Sequence, residues 1–400
     1  MRNVGVRRSR GNDNPSGALQ RHRDLASVPP RVDARWRRSV TAPAHAPSAW
    51  LNATNYPALD TLARDMKVLI IGAGAVGQVY GHHLTNGGAD VAFYIKEKYA
   101  AELDKGFDLY QHSLFGKVLK SRTTHHQFNQ YSYISDTASL GQESYDYILN
   151  TVSSTALRTG WWEAFKNASG NASIVSLQPA LDDAELILKT LPKERFIKGL
   201  IQFFSYQSPL PGTNEPKGVH YLLPPVAGLF ENENGSASEL MQTLRNGGFK
   251  ARHREDLNFY SSSLSSISIP LTAALELSDW RISKLIDRNC LRLGLNASRE
   301  ANLAIALALD RKQQFPPLLK EWVVRIVLRV VPFVSPFDLE GYLKFHFSKV
   351  GDQTRLMLEQ YIAHAKDHDL AHSANSRLLE ALHQIDIQLD PSAQKVDGQG

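Results

Sequence analysis

Four consecutive apolar residues, Val68-Leu69-Ile70-Ile71, run straight into Gly72, Gly74 and Gly77. That junction limits the folds open to this chain more than any other stretch. Three of the four are β-branched, which reads as a strand buried on both faces. In the G-x-G-x-x-G spacing that follows, Gly72 permits a tight turn. Gly74 lets the backbone approach a diphosphate, and Gly77 lets the next helix lie close on the strand. The spacing alone is a weak signal. Here it sits between the strand and a helix expected over Ala75 to Thr85, ended by Gly87-Gly88 and followed by a second strand, Asp90 to Ile95. Phosphates would meet the free N–H groups of that helix, with Ala75 and Val76 in its first turn. The junction therefore points to a dinucleotide site.

Which dinucleotide depends on the end of the second strand. An acidic residue there usually accepts from the ribose hydroxyls of NAD. This chain reads Tyr94-Ile95-Lys96-Glu97-Lys98, with Lys96 24 residues beyond Gly72. A cation at that place favours the 2′-phosphate of NADP. The competing readings are an inward-pointing Glu97 or a solvated charge run.

Charge could suggest a nucleic-acid partner, but its distribution argues otherwise. Residues 1–65 hold 11 Arg and 5 Asp with no Lys or Glu, whereas the rest is almost balanced at 34 basic and 35 acidic residues. The basic character belongs to the N-terminal extension. Those first 65 residues lack periodicity. They read either as an organelle transit peptide or, the favoured reading, as an extension ahead of a true start at Met66. A single cysteine, Cys290, excludes an internal disulfide and suits a reducing cytoplasm. The most apolar stretch, Trp322 to Phe333, is interrupted by Arg325, Arg329 and Pro332 and is too short to span a bilayer. No nucleic-acid or membrane partner is expected.

From Met66 strands and helices alternate. A short helix over Lys98 to Lys105 precedes a hairpin over Leu109 to Lys120, turning near Phe115-Gly116, and a short strand over Tyr131 to Ser135. Tyr145 to Val152 is a buried strand ending at Ser153-Ser154-Thr155, where open α/β sheets bind ligands. A helix through Trp161, Trp162 and Phe165 leads to strand Ala172 to Leu177 and helix Ala184 to Leu191. Phe196 to Tyr206 and Gly218 to Leu229 read as strands, and Ala237 to Asn246 as an amphipathic helix. Beyond about Ala251 helical patterns dominate: Asn258 to Leu277, Trp280 to Leu293, Ser298 to Asp310, Pro316 to Val330, Asp352 to Asp367 and Ser373 to Ile385. The expected fold is α/β: a Rossmann-type doubly wound sheet over 66–250, then an all-helical substrate domain over 251–387 and a flexible tail over 388–400. The active cleft is expected between the two domains.

Lys67-Val68-Leu69-Ile70-Ile71-Gly72-Ala73-Gly74-Ala75-Val76-Gly77-Gln78-Val79-Tyr80-Gly81 resembles the opening of ketopantoate reductases (2-dehydropantoate 2-reductases), as does the basic residue after the second strand. Ile269-Pro270-Leu271-Thr272-Ala273 resembles that family's Asn-Pro-Leu-Thr-Ala stretch. The resemblance covers about residues 66–387. It implies NADPH-dependent reduction of a 2-keto acid in pantothenate biosynthesis. A lysine on the first helix of the second domain donates the proton, and a glutamate on a later helix holds the substrate hydroxyl. Asparagines anchor the substrate, and a lysine after the fourth strand lies near the cofactor.

Carried onto this chain, the catalytic lysine falls on Tyr260 or Ser261, and no lysine lies between Lys250 and Lys284. The glutamate falls at Gln353, and the lysine after the fourth strand at Ser153 or a neighbour. The asparagine before the proline is Ile269. The family's His-Asn-Gly corresponds to Gln178-Pro179-Ala180. Tyr260 is a replacement acid if a cation or hydrogen bond assists its phenol; its alternative is ring packing in a helix interface. Ser261, Ser262 and Ser263 add hydroxyls. Asp352 and Arg355 are candidates for a carboxylate or sugar substrate, or else a helix cap and a surface ion pair.

Other features carry less. His82-His83 and His125-His126 are adjacent pairs that do not face one another on a helix, so solvated imidazoles are expected. Arg325 and Arg329 sit one helical turn apart, on a wet face or against an anionic partner. There is no H-E-x-x-H, no cysteine cluster and no metal-ligand spacing. Nor is there a G-x-S-x-G elbow. The expected function is NADPH-dependent reduction of a small carbonyl substrate, with a homodimer as the candidate assembly. The alternative is an NADP-binding sensor or interaction protein without turnover.

Overall fold

The computed structural model describes residues 65–389, apart from 115–122, 141–142, 233, 288 and 318. The readings made for residues 1–64, for the hairpin turn at Phe115-Gly116 and for the tail beyond 389 lie outside the described residues. Twelve strands are described: β1 (Lys67–Ile71), β2 (Asp90–Tyr94), β3 (Phe107–His112), β4 (Thr124–Phe128), β5 (Ser132–Ile134), β6 (Tyr147–Asn150), β7 (Ser173–Ser176), β8 (Phe196–Leu200), β9 (Phe204–Ser208), β10 (Gly218–Leu222), β11 (Gly228–Phe230) and β12 (Ala251–His253). The helices of the sheet region are α1 (Ala75–Asn86), α2 (Ala100–Leu103), α3 (Thr137–Leu140), α4 (Ser154–Leu157), α5 (Trp161–Ala168), α6 (Asp183–Leu188) and α7 (Ser238–Asn246). Those beyond it are α8 (Leu257–Glu276), α9 (Ile282–Asp287), α10 (Cys290–Ala308), α11 (Glu321–Val334), α12 (Leu339–Ser348), α13 (Gly351–Asp367) and α14 (Ser373–Leu389).

The main sheet has the order β12-β11-β8-β7-β6-β1-β2-β5. Strands β8 through β5 are all parallel, and β11 returns antiparallel beside β8. The six parallel strands thus follow the doubly wound dinucleotide-fold order, whose switch point lies between β1 and β6. Their C-terminal ends are level: Tyr94, Ile71, Asn150, Ser176 and Lys198 pair in one row across the sheet. One face buries Leu69, Ile71, Ile148 and Ile174 against Trp162, Phe165 and Ile187. Each such fully buried aliphatic side chain contributes about 1.5–3 kcal/mol.

A second sheet, β4-β3-β10-β9, packs over the other side. Two strands read from the sequence as continuous are each divided between these sheets. Phe196 to Tyr206 breaks at 201–203 into β8 and β9, and Gly218 to Leu229 breaks at Leu223-Pro224-Pro225 into β10 and β11. Helix α1 lies between the sheets, so its Val79, Tyr80 and Leu84 share one core with Val68, Ile70 and Phe93 and with Leu109, Val219 and Tyr221.

That enclosure corrects the reading of the paired histidines. His82 and His83 are 7% and 5% exposed, not solvated. The His82 ring lies 4.9 Å from that of His126, and His83 Nδ1 is 2.7 Å from the Gly247 carbonyl. Only His125 meets the expectation of exposure, paired with Asp108 at 2.8 Å. Burial pushes the His82 imidazole down from 6.5 to about 4, with His83 and His126 adding to the effect. His82 is therefore neutral when folded and protonated when unfolded at pH 5. Its contribution to stability is complete above pH 6.5 and is lost as the pH falls towards 4. After a discount for solvent screening the loss is about 2 kcal/mol. Urea unfolding should show a lower midpoint at pH 4.5 than at pH 7, and His82→Gln should reduce the difference, the other buried imidazoles keeping the rest. Equal wild-type midpoints at the two pH values would refute this.

The helical part packs α8, α10, α13 and α14 around Ile269, Ala273, Leu291, Leu295, Leu358 and Leu378. Gly294 lets α8 and α10 approach closely, since a Cβ there would come within 2.9 Å of the Ala274 Cβ. The serine-rich start of α8 faces α10: Asn302 Nδ2 donates to Ser263 Oγ at 2.9 Å and to Ser266 Oγ at 3.1 Å. The run expected as one helix over Trp280 to Leu293 is interrupted, and a single helix, α10, spans Cys290–Ala308 instead. Helix α11 continues through Pro332 and leaves Trp322, Ile326, Val330 and Phe333 exposed. Arg325 pairs with Glu321 at 2.7 Å. No helix among the described residues is long and apolar enough to cross a membrane.

Candidate active site

The glycine turn closes the end of β1. Gly72 takes φ +92°, and its N–H donates to the Tyr94 carbonyl at 2.9 Å. A Cβ on Gly77 would come within 2.2 Å of the Gly72 carbonyl oxygen, so only glycine lets α1 start here. Gly74 is the N-cap of α1. Among the described residues no side chain caps the helix, no acidic residue stands in its first turn, and no atom beyond its chain neighbours lies within 4 Å of the place a Cβ on Gly74 would occupy. Open space meets unpaired N–H groups and the positive end of a helix dipole. The residues therefore fit a diphosphate group. Thr151 Oγ1 donates to the Ile71 carbonyl at 2.7 Å, fixing the β1 and β6 ends beside the turn.

Lys96 follows β2, exposed and without an ion pair among the described residues. Neighbouring Glu97 is exposed too and does not point inward. Ser153 is the N-cap of α4, its Oγ accepting from Ala156 N–H at 3.1 Å.

Behind the strand ends lies a buried polar cluster that sequence reasoning missed. Asp183 is fully buried; it accepts from Ser154 Oγ at 2.6 Å, from Ala180 N–H at 2.8 Å and from Arg158 Nη1 at 2.7 Å. Desolvation raises its pKa, opposed by the Ser154 and Arg158 hydrogen bonds and by the charge of Lys198. Lys198 is 1% exposed and donates Nζ to the Gln178 carbonyl at 2.7 Å. Burial lowers its pKa, opposed by the charges of Asp183 and Glu231. Gln178 itself donates to the Asn150 and Val152 carbonyls at 3.0 and 2.8 Å. The one advance signal was a lysine inside a buried strand pattern.

The three predicted catalytic residues have different surroundings. Gln353, on α13, accepts the Ser154 N–H at 2.9 Å through Oε1, bringing the helical part onto the β6 end. Ser261 is buried and donates to the Asn258 carbonyl within its own helix, so its hydroxyl is not free for chemistry. Tyr260 is half-buried, with the Arg254 guanidinium 3.7 Å from its ring centroid. Its hydroxyl has no hydrogen-bond partner among the described residues. Arg355 is not available to a substrate: it pairs with Glu276 and Asp386, each at 2.8 Å. The Asp352 carboxylate accepts the Gln353 N–H at 2.8 Å.

Six parallel strands in this order, a glycine turn opening on an uncapped helix and an all-helical region behind the strand ends define a dinucleotide-binding α/β fold with a helical C-terminal region. Residues 68–218 match the family model of ketopantoate reductase PanE/ApbA. That match over residues 68–218 and the solved structures the chain resembles are consistent with a divergent member of the ketopantoate reductase superfamily. Among solved structures it is similar to a PanE/ApbA family ketopantoate reductase from Ralstonia eutropha JMP134. That pair has a TM-score of 0.63 and 17% identity, covering 81% of this chain and 99% of the other. The 2-dehydropantoate 2-reductase from Geobacter metallireducens GS-15 aligns at a TM-score of 0.59 and 18% identity, over 80% and 100% of the two chains. D-mandelate dehydrogenase, solved as a ternary complex with NADH and anilino(oxo)acetate, aligns at a TM-score of 0.60 and 13% identity, over 81% and 99%. No curated protein sequence matches significantly.

Proposed function

We propose that this protein is an NADPH-dependent reductase of a small 2-keto acid or related carbonyl compound. The observation that supports it most is the uncapped, unobstructed start of α1 at Gly74, joined to a helical region that reaches the same strand ends through Gln353. NADPH, held by the N–H groups of Gly74 to Gly77, would supply a hydride from its nicotinamide. The chain must supply a proton to the developing alkoxide. Tyr260 is the group we assign to that proton, because its hydroxyl is uncommitted and Arg254 lies on its ring. Gln353 is a positioning residue that holds α13 to the β6 end. Oxidation of NADPH with a panel of 2-keto acids tests the reading, and inactivity throughout the panel would reject it.

Lys96 is assigned to the 2′-phosphate. A charge-assisted hydrogen bond of that kind is worth about 1.5–3 kcal/mol. Lys96→Ala should therefore weaken NADPH binding by roughly tenfold or more and leave NADH binding within about twofold. Fluorescence titration reads both. Tighter binding of NADH than NADPH by the wild-type protein would overturn the NADP assignment.

A second reading, nucleotide binding without turnover, draws support from Ser261, Gln353 and Gln178, whose polar groups are engaged inside the protein. It expects saturable NADPH uptake with no oxidation, and partner recovery that changes with cofactor.

A further inference from the structure

The second sheet carries a cluster that the nucleotide site does not use. His112 ends β3, His220 lies on the parallel neighbour β10, and Glu215 stands in the segment joining β9 to β10. One ligand atom from each lies within 4.8 Å of the others. The two imidazoles meet edge to edge, His112 Nε2 being 3.0 Å from His220 Nδ1.

The chemistry of the pair points outward from each ring. His220 Nε2 faces the Pro216 carbonyl at 3.2 Å, and a carbonyl oxygen can only accept. That nitrogen carries the proton, and the Nδ1 lone pair is aimed at His112. A backbone carbonyl holding the remote nitrogen is the usual support for a metal-bound imidazole. His112 Nδ1 lies 3.4 Å from Thr123 Oγ1, which accepts if the proton moves there and frees Nε2. A neutral His112 can thus present its lone pair by changing tautomer, with no net loss of a proton. Glu215 is held in place from behind: Oε1 accepts from the Tyr206 hydroxyl at 2.8 Å, and Oε2 from Ser208 Oγ at 3.2 Å and Thr213 Oγ1 at 3.3 Å. Tyr110 and Tyr206 flank His220, with ring centroids 4.6 and 5.5 Å away, and Phe337 lies 5.9 Å from the His112 ring.

We propose that His112, His220 and Glu215 form a binding site for a divalent transition-metal ion, zinc by preference, with water in the remaining position. Two imidazoles and one carboxylate suit zinc and leave a tetrahedral place open. Zinc–ligand bonds near 2.0–2.1 Å set ligand atoms about 3.3 Å apart in a tetrahedral site. The imidazole pair is already near that spacing, and closure exchanges hydrogen bonds of the Glu215 carboxylate to Tyr206, Ser208 or Thr213 for a bond to the ion. The ion would tie the β9–β10 connection to β3. This site stands apart from the nucleotide reading and does not depend on it.

The test uses the full chain, stripped with a chelator and titrated with zinc against a chromophoric competitor. One equivalent should bind with a dissociation constant at or below about 1 μM, and the melting temperature should rise with zinc. His112→Ala and Glu215→Ala should each weaken uptake at least 100-fold, while His126→Ala, in the separate cluster around His82, should leave it unchanged. Cobalt titration of the wild-type protein guards against variants that misfold: visible d–d bands of a four- or five-coordinate ion are expected. Absence of those bands, affinity weaker than about 100 μM, or uptake that survives His112→Ala in a folded variant would overturn the site.

Discussion

Gly74→Asp should abolish NADPH binding and leave the protein at least as stable as the wild type. Gly74 has the extended backbone of a helix N-cap, φ −73° and ψ −177°, which aspartate adopts without strain. Among the described residues no atom beyond its chain neighbours lies within 4 Å of the new Cβ. Aspartate is a favoured N-cap, better than glycine by a few tenths of a kcal/mol, and its charge complements the helix dipole. The same carboxylate would stand where the diphosphate must lie. Two unit charges about 4 Å apart repel by about 4 kcal/mol at an effective dielectric of 20. Even half of that, added to the displaced hydrogen bonds, predicts at least a hundredfold loss of affinity. Calorimetric titration with NADPH beside a thermal melt separates the two effects. Undiminished binding by Gly74→Asp would mean that the diphosphate is held elsewhere. Gly77→Ala is less informative, because its Cβ would collide with the Gly72 carbonyl and damage fold and site together.

What the sequence disclosed about this region follows from its being local. Gly72, Gly74 and Gly77 are dictated by one turn and one helix start, and one residue type at three fixed positions is enough to read them. The assignment of Lys96 rests on the same kind of local signal, its place after one strand. The second sheet was harder. The break between β8 and β9 at 201–203 carries no proline or glycine, and an apolar run does not say to which sheet each half belongs. The Pro224-Pro225 pair did mark the other break, though reading Gly218 to Leu229 as one strand passed over it. The histidines misled because adjacent polar residues suggest solvent. Only a second layer over α1 explains how His82, His83 and Tyr80 are all buried. His112 and His220 are 108 residues apart and meet through parallel pairing of β3 with β10, a contact that no local spacing records. The serines of α8 looked chemical in isolation, and α10 is what turns Ser263 and Ser266 into hydrogen-bond partners of Asn302.

The buried cluster behind the strand ends gives the largest expected stability effect. Asp183 holds Ser154, Ala180 and Arg158 directly and offsets the buried charge of Lys198 through space. Asp183→Ala removes the anion and leaves Lys198 with only the charge of Glu231 to compensate its own. Breaking a buried pair in this way costs about 3–5 kcal/mol. For a folded region of this size that corresponds to a fall in Tm of roughly 6 °C, from the usual entropy of unfolding per residue. Lys198→Met is expected to cost less, about 1 kcal/mol, since it replaces a buried ammonium by an apolar chain of similar length and gives up one hydrogen bond to the Gln178 carbonyl. The double variant decides whether the two charges act together. With the ammonium gone, the missing anion has less to compensate, so the pair should fall short of additivity by about 1–3 kcal/mol. Urea unfolding of the four proteins supplies the cycle, and additivity within about 0.5 kcal/mol would show that Asp183 and Lys198 stabilise the strand ends independently.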